Sequence, residues 1–189
     1  MVGLLGGSFD PVHHGHLVTA VVLREELGLD EVRLVPARAQ PFKAGHGAPV
    51  EDRLRMLELA VADCAGLAVE PIEVRRPGPS YTVDTLRLLG RREPAESWTL
   101  LVGSDAATEF AAWREHEAIM GLARVVFFSR AGQSPPALAG TDHVSVPGLD
   151  ISATAVRERV ARGRTIRYWV PDSVAEYIAT HRLYMDTEV

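Results

Sequence analysis

The chain has 189 residues, 47% of them hydrophobic, and a formal net charge of −5 at pH 7. That is the size of one compact domain able to bury a substantial core, so residues 1–189 are expected to form a single domain whose last part, about 151–189, is helical. The acidic balance gives no electrostatic reason for bulk nucleic-acid binding or adhesion to an anionic membrane, which leaves only local phosphate sites. Cys64 is the only cysteine, which excludes an intrachain disulfide and a cysteine-based zinc site. Gly6, Gly7 and Asp10 interrupt the N-terminus before a signal-peptide core can form. No run approaches the roughly 20 apolar residues that span a bilayer, and a cytoplasmic protein is expected.

In chain order, the apolar stretch VGLL at residues 2–5 reads as a strand ending at Gly6-Gly7. Residues 17–27 place Leu17, Ala20, Val21 and Leu27 on one helical stripe, with Gly28 as a stop. A strand follows at 32–35. Leu54, Leu57, Ala60, Val61 and Cys64 recur at spacings of three and four and predict a helix over 51–64. Residues 67–74 read as a strand, 81–89 as a helix, and 98–102 (WTLLV) as a buried strand. Strands at 125–128 (VVFF) and 144–146 and helices at 153–162 and 173–181 complete the pattern. Strands alternating with helices imply right-handed crossovers and a parallel sheet covered on both faces. The predicted class is α/β, doubly wound. Residues 36–49 and 131–141 are irregular, and loops this long in a compact domain tend to carry function.

Residues 6–16 read GGSFDPVHHGH. In an open α/β sheet ligands bind beyond the carboxyl ends of the strands, and glycines there allow ligand to approach backbone closely. A helix starting near His16 offers free N–H groups and a positive dipole end to an anion. Ser8 adds a donor, and Asp10-Pro11 fixes a turn. His13 and His16, three apart, face one side of a first helical turn, where two imidazoles would donate to phosphoryl oxygens. A plain glycine turn with exposed histidines and a His/Asp metal site are the alternatives. Near the other end, DISATAVRERV at 150–160 places Ser152 as an N-cap, Thr154 in the first turn and Arg157 on the second. This is a second anion site, or an ordinary capped helix. Arg159, Arg162, Arg164 and Arg167 read best as a solvated basic face.

GGSFDPVHHGH resembles the GGTFDPxHxGH signature of the HxGH nucleotidyltransferases, and ISATAVR resembles the ISxTxxR element that accompanies it. PSYTVDTL at 79–86, LVGSDAATEFAAW at 101–113 and VPDSVAEYIATHRLY at the C-terminus are similar to bacterial nicotinate mononucleotide adenylyltransferases, over nearly the whole chain. The resemblance implies a Rossmann-like nucleotidyltransferase fold with a small C-terminal helical part. It also implies transfer of AMP from ATP to nicotinate mononucleotide, with Mg²⁺ carried by the phosphates, as a step of NAD biosynthesis. On this reading His16 contacts the α-phosphate with help from His13, and Gly7, Ser8 and Phe9 belong to the same nucleotide loop. Ser152, Thr154 and Arg157 fall to the β and γ phosphates, and Lys43 to a further phosphate contact. Gly103 and Asp105, just past a strand, suit adenosine and its ribose hydroxyls. Tyr81 and Trp113 offer aromatic faces to a pyridine ring, or are core residues, and Thr82 can hydrogen-bond a pyridine carboxylate. Arg130 reads as a contact for the mononucleotide phosphate or as a surface arginine.

One departure stands out: Ala37, Gln40, Pro41, Phe42 and Lys43 occupy a region where many members carry an Asn and a Pro-Pro-His-Lys segment. ATP and nicotinate mononucleotide are the expected partners, without nucleic acid or membrane, and a homo-oligomer is left open. The rivals are a sister transferase acting on nicotinamide mononucleotide or another phosphorylated acceptor, and a non-catalytic nucleotide sensor.

Overall fold

The computed structural model describes residues 1–38, 47–130 and 138–185. Six parallel strands form one sheet in the order β3-β2-β1-β4-β5-β6. They are β1 Val2–Gly7, β2 Glu31–Pro36, β3 Leu67–Val69, β4 Trp98–Gly103, β5 Arg124–Arg130 and β6 Asp142–Val146. The helices are α1 His14–Glu26, α2 Val50–Val61, α3 Thr82–Arg92, α4 Ser104–Ala107, α5 His116–Leu122, α6 Ala153–Ala161 and α7 Asp172–Thr180. The doubly wound expectation holds.

Alternation along the strands explains the two layers. Leu5, Leu34, Leu101 and Val126 point to one face, where Leu23 of α1, Met56 and Leu57 of α2, Val156 of α6 and Ile178 of α7 cover them. Leu4, Val35, Leu100, Val102 and Phe127 point to the other, against Val83, Leu86 and Leu89 of α3 and Ile119 of α5. Because the side-chain period of a strand is two, hydrophobic residues on both faces require cover on both.

Two expectations need correcting. The third strand ends at Val69 rather than 74, since Pro71 removes a ladder donor and residues 71–75 form turns. Between β4 and β5 the sequence reading found no helix, whereas α4, a 3₁₀ turn at Phe110–Ala112 and α5 lie there. These pieces are too short to show helical periodicity. Among the described residues no helix is long and apolar enough to cross a membrane.

The strand order reverses between β1 and β4, which both neighbour the sheet's centre and lead to opposite sides. A crevice opens beyond their carboxyl ends at such a switch point.

Candidate functional site

A cleft of about 860 Å³ occupies that crevice, floored by Gly6 and Gly7 of β1 and walled by Gly103 to Ala106 after β4. Ser8, Phe9, His13 and His16 line one side; Ile151 to Thr154 and Arg157 at the start of α6 line another; Arg130 stands at the end of β5. Elements far apart in sequence thus converge on one space.

Local sequence explains the loop after β1. Phe9 takes a left-handed backbone (φ 46°) with its ring buried beneath Gly7, where a Cβ would come 2.9 Å from that ring. Such a conformation costs a non-glycine residue roughly 1–3 kcal/mol and persists only where surroundings hold it. His13 is the extended residue preceding α1, and its imidazole stacks on His16 with centroids 3.7 Å apart. A Cβ on Gly15 would come 3.0 Å from the His13 ring and 3.5 Å from the Ile151 carbonyl oxygen. A side chain at this position would crowd the stack, so glycine suits it.

The His13 backbone N–H donates to His16 Nδ1 at 3.3 Å. With Nδ1 accepting, the proton of a neutral His16 sits on Nε2, which makes that nitrogen a donor. Phe9 contacts His16 edge-on at 5.0 Å between centroids, so the ring is held between two neighbours. His13 is buried, and that burial, reinforced by the charges of Arg130 and His14, pulls its pKa down to about 4. It is neutral at pH 7.

At α6, Ser152 accepts the Ala155 N–H at 3.1 Å, the N-cap its sequence foretold. Arg157 donates to the Asp10 carbonyl at 2.7 Å and to Thr154 Oγ1 at 3.2 Å. The guanidinium spans the two loops.

Tyr81, Thr82 and Trp113 are not among the residues lining this cleft. Tyr81 precedes α3 and faces a separate surface depression of about 460 Å³, with the Arg114 guanidinium 4.9 Å from its ring centroid. Trp113 is half-buried, 5.2 Å from Phe110 between centroids, and both it and Tyr81 pack on the core layer that includes Phe110. Lys43, Gln40, Pro41 and Phe42 lie outside the described residues. Ala37 is buried; its N–H donates to the Gly7 carbonyl at 2.9 Å. Among the arginines at the C-terminal end, Arg159 covers the Trp169 ring at 4.7 Å and Arg162 lies 3.9 Å from Glu158.

Sequence reasoning missed several participants. Thr19, Phe128 and Ile151 also line the cleft. Arg53 of α2 is fully buried and donates to the carbonyls of Ser8 at 2.6 Å and Ala37 at 2.9 Å. Tyr184, near the C-terminus, donates to the buried carboxylate of Asp10 at 2.8 Å. A polar residue within an amphipathic helix reads as solvent-facing, so nothing in the local sequence singled out Arg53. Among the described residues, no cluster of three or more His, Cys, Asp and Glu side chains forms a metal-binding group.

Residues 4–159 match the cytidylyltransferase-like family. A probable nicotinate-nucleotide adenylyltransferase of Roseiflexus sp. is 47% identical, with 97% of each chain covered. A protein of the same name from Thermus thermophilus is 42% identical over 97% of this chain and 98% of its own. Among solved structures, Plasmodium falciparum nicotinic acid mononucleotide adenylyltransferase complexed with NaAD superposes with a TM-score of 0.81 at 18% identity, covering 97% and 96% of the two chains. At that identity the likeness concerns the fold. On the strength of its sequence relatives, the chain belongs to the nicotinate-nucleotide adenylyltransferase family within the cytidylyltransferase-like group.

Proposed function

We propose that the protein transfers the adenylyl group of ATP to nicotinate mononucleotide, forming nicotinate adenine dinucleotide and pyrophosphate in NAD biosynthesis. Family membership supports the substrate pair. The observation that carries the chemistry is the convergence of the His13/His16 stack and the α6 start on one cleft at the switch point.

An oxygen of the mononucleotide's 5′-phosphate attacks the α-phosphorus of ATP in line. A new P–O bond forms, the bond from the α-phosphorus to the bridging oxygen breaks, and pyrophosphate leaves with the electron pair. The attacking oxygen is already ionised near neutral pH, so no general base is required. Catalysis then rests on positioning and on stabilising charge as it develops. His16 Nε2–H donates to the α-phosphate, and neutral His13 fixes the ring behind it. Ser8 and the Gly7 backbone receive the triphosphate together with Phe9's loop, while Ser152, Thr154 and Arg157 hold its β and γ groups. Lys43, outside the described residues, is assigned a further phosphate contact by the resemblance alone. Gly103 and Asp105 serve the adenosine. Arg130, at the cleft, meets the mononucleotide phosphate; Tyr81, Thr82 and Trp113, which do not line the cleft, are assigned to the pyridine ring and its carboxylate by the resemblance alone.

The donors lining the cleft are two imidazoles, hydroxyls and the guanidinium groups of Arg130 and Arg157, all of which suit phosphate oxygens, and Asp10 and Asp105 are its carboxylates. Mg²⁺ fits this set as the triphosphate's own counterion, neutralising charge on its oxygens. The helices α6 and α7 share an apolar cluster with β1 and α1, which supports one domain over 1–189. The proposed setting is the cytoplasm, with no nucleic-acid or membrane partner.

The test is the fate of label from ATP. Phosphorus from the α position is expected in the dinucleotide and phosphorus from the γ position in pyrophosphate. Retention of all label in unreacted ATP, with nicotinate mononucleotide and Mg²⁺ present, would favour a nucleotide sensor.

A further inference from the structure

Behind the cleft lies a set of buried polar contacts that the chemistry above does not use. The Asp10 carboxylate is 4% exposed and accepts from Gly47 N at 2.6 Å, Ala48 N at 3.1 Å and the Tyr184 hydroxyl at 2.8 Å. Its own main-chain carbonyl accepts from Arg157. Tyr184 is itself buried, and burial beside the Asp10 charge pushes its phenol well above the ordinary range, so it remains a donor. Arg53, with no exposed surface, binds the Ser8 carbonyl from the opposite side and anchors it to the Ala37 and Arg38 carbonyls at 2.9 and 3.3 Å. Gly47 is the point where these parts press together: a Cβ there would come 2.9 Å from Arg157 Cδ and 3.1 Å from the Tyr184 ring.

Each contact acts on a group that faces the nucleotide. Arg53 fixes the carbonyl of Ser8, and with it the peptide carrying the loop's hydroxyl. Asp10 orients Arg157, whose other nitrogen is held by Thr154. A buried charge is retained only where its partners are well placed, and removing one partner disturbs the rest. We propose that Asp10, Arg53 and Tyr184 form a buried clamp that positions Ser8 and Arg157 for the nucleotide phosphates. They are positioning residues for the adenylyl transfer proposed above, and the inference rests on that reading for its effect on turnover. The C-terminal segment after α7 is thereby a part of the phosphate site, although Tyr184 lies 174 residues from Asp10.

A double-variant cycle tests the clamp. ATP is titrated calorimetrically into wild type, Tyr184→Phe, Arg157→Ala and the double variant, with turnover measured in parallel. Losing one hydroxyl is expected to weaken ATP binding about fivefold and lower turnover about tenfold, because a small misplacement of phosphate donors is costly. The KM for the mononucleotide stays within twofold. On the Arg157→Ala background the same change is expected to add nothing, since Tyr184 acts through the arginine. Unchanged ATP affinity in Tyr184→Phe, or an undiminished loss on the Arg157→Ala background, overturns the clamp. A purely stabilising tyrosine would lower the melting temperature and leave both binding and turnover at 25 °C intact. Should Tyr184→Phe melt below the assay temperature, Asp10→Asn replaces it in the same cycle with the same expected outcome. Wild type that binds ATP without transferring AMP contradicts the reaction, while the affinity cycle still decides the clamp.

Discussion

The cleft and the segments proposed to meet the acceptor are built differently. On the phosphate side, Phe9, Asp10, His13 and Arg53 are buried, each hydrogen-bonded or ring-packed to a neighbour in the loop or helix it serves. In the segments proposed for the acceptor, Tyr81 and Trp113 are half-buried and lie outside the cleft, and the Arg114 guanidinium faces the Tyr81 ring. The lesson is about where precision is required. Transfer at phosphorus needs donors fixed to a fraction of an ångström, which a buried polar frame supplies. The proposed acceptor contacts fall on the start of α3 and the β4–β5 crossover, where segments are short and surfaces open.

That contrast yields expectations of graded size. His16→Ala should keep its fold and lose turnover by about 10²- to 10³-fold, the cost of removing a transition-state donor, as read by steady-state kinetics with circular dichroism as control. Near-normal turnover would move the chemistry away from the histidine stack.

His13 should make stability depend on pH. Its folded pKa of about 4 lies below the unfolded 6.5, so the unfolded chain binds the proton first. Stability is full above pH 6.5 and declines as pH falls toward 4, by up to about 3 kcal/mol for this group. Denaturant midpoints across that range should fall less steeply in His13→Gln than in wild type. Equal slopes would mean that His13 is not held neutral by burial.

Gly15→Ala sharpens the same side. The added methyl would stand 3.0 Å from the His13 ring, which must shift by a few tenths of an ångström within its stack, and turnover should drop about tenfold with the fold retained. On the other side the effects should appear in binding. Arg130→Met is expected to raise the mononucleotide KM about tenfold, equivalent to ~1.4 kcal/mol, with kcat nearly unchanged. Trp113→Leu should raise the same KM only a few-fold, since a partly exposed ring contributes roughly 1 kcal/mol of stacking. A large kcat loss in either would blur the division between the two sides.

The same division governs what could be read in the sequence. The fold followed from strand and helix periods, and β1, α1 and the capped start of α6 fall where the residue types put them. The motif residues His13, His16, Ser152, Thr154 and Arg157, at the starts of α1 and α6, line one cleft. Arg53 and Tyr184 stayed hidden because their partners are main-chain carbonyls and a carboxylate brought near only by the tertiary fold. Helices α4 and α5 stayed hidden because a segment of four or seven residues carries too few turns to display a period. Tyr81 and Trp113 were legible as aromatics, whereas their placement outside the cleft depends on the packing of the crossover.

The most direct measurement is pyrophosphate release from ATP and Mg²⁺ by wild type, run side by side with nicotinate and nicotinamide mononucleotide. A kcat/KM strongly favouring the acid is expected, and with it the dinucleotide of the family's reaction. Equal rates with the amide, or no release with either, would contradict the proposed acceptor.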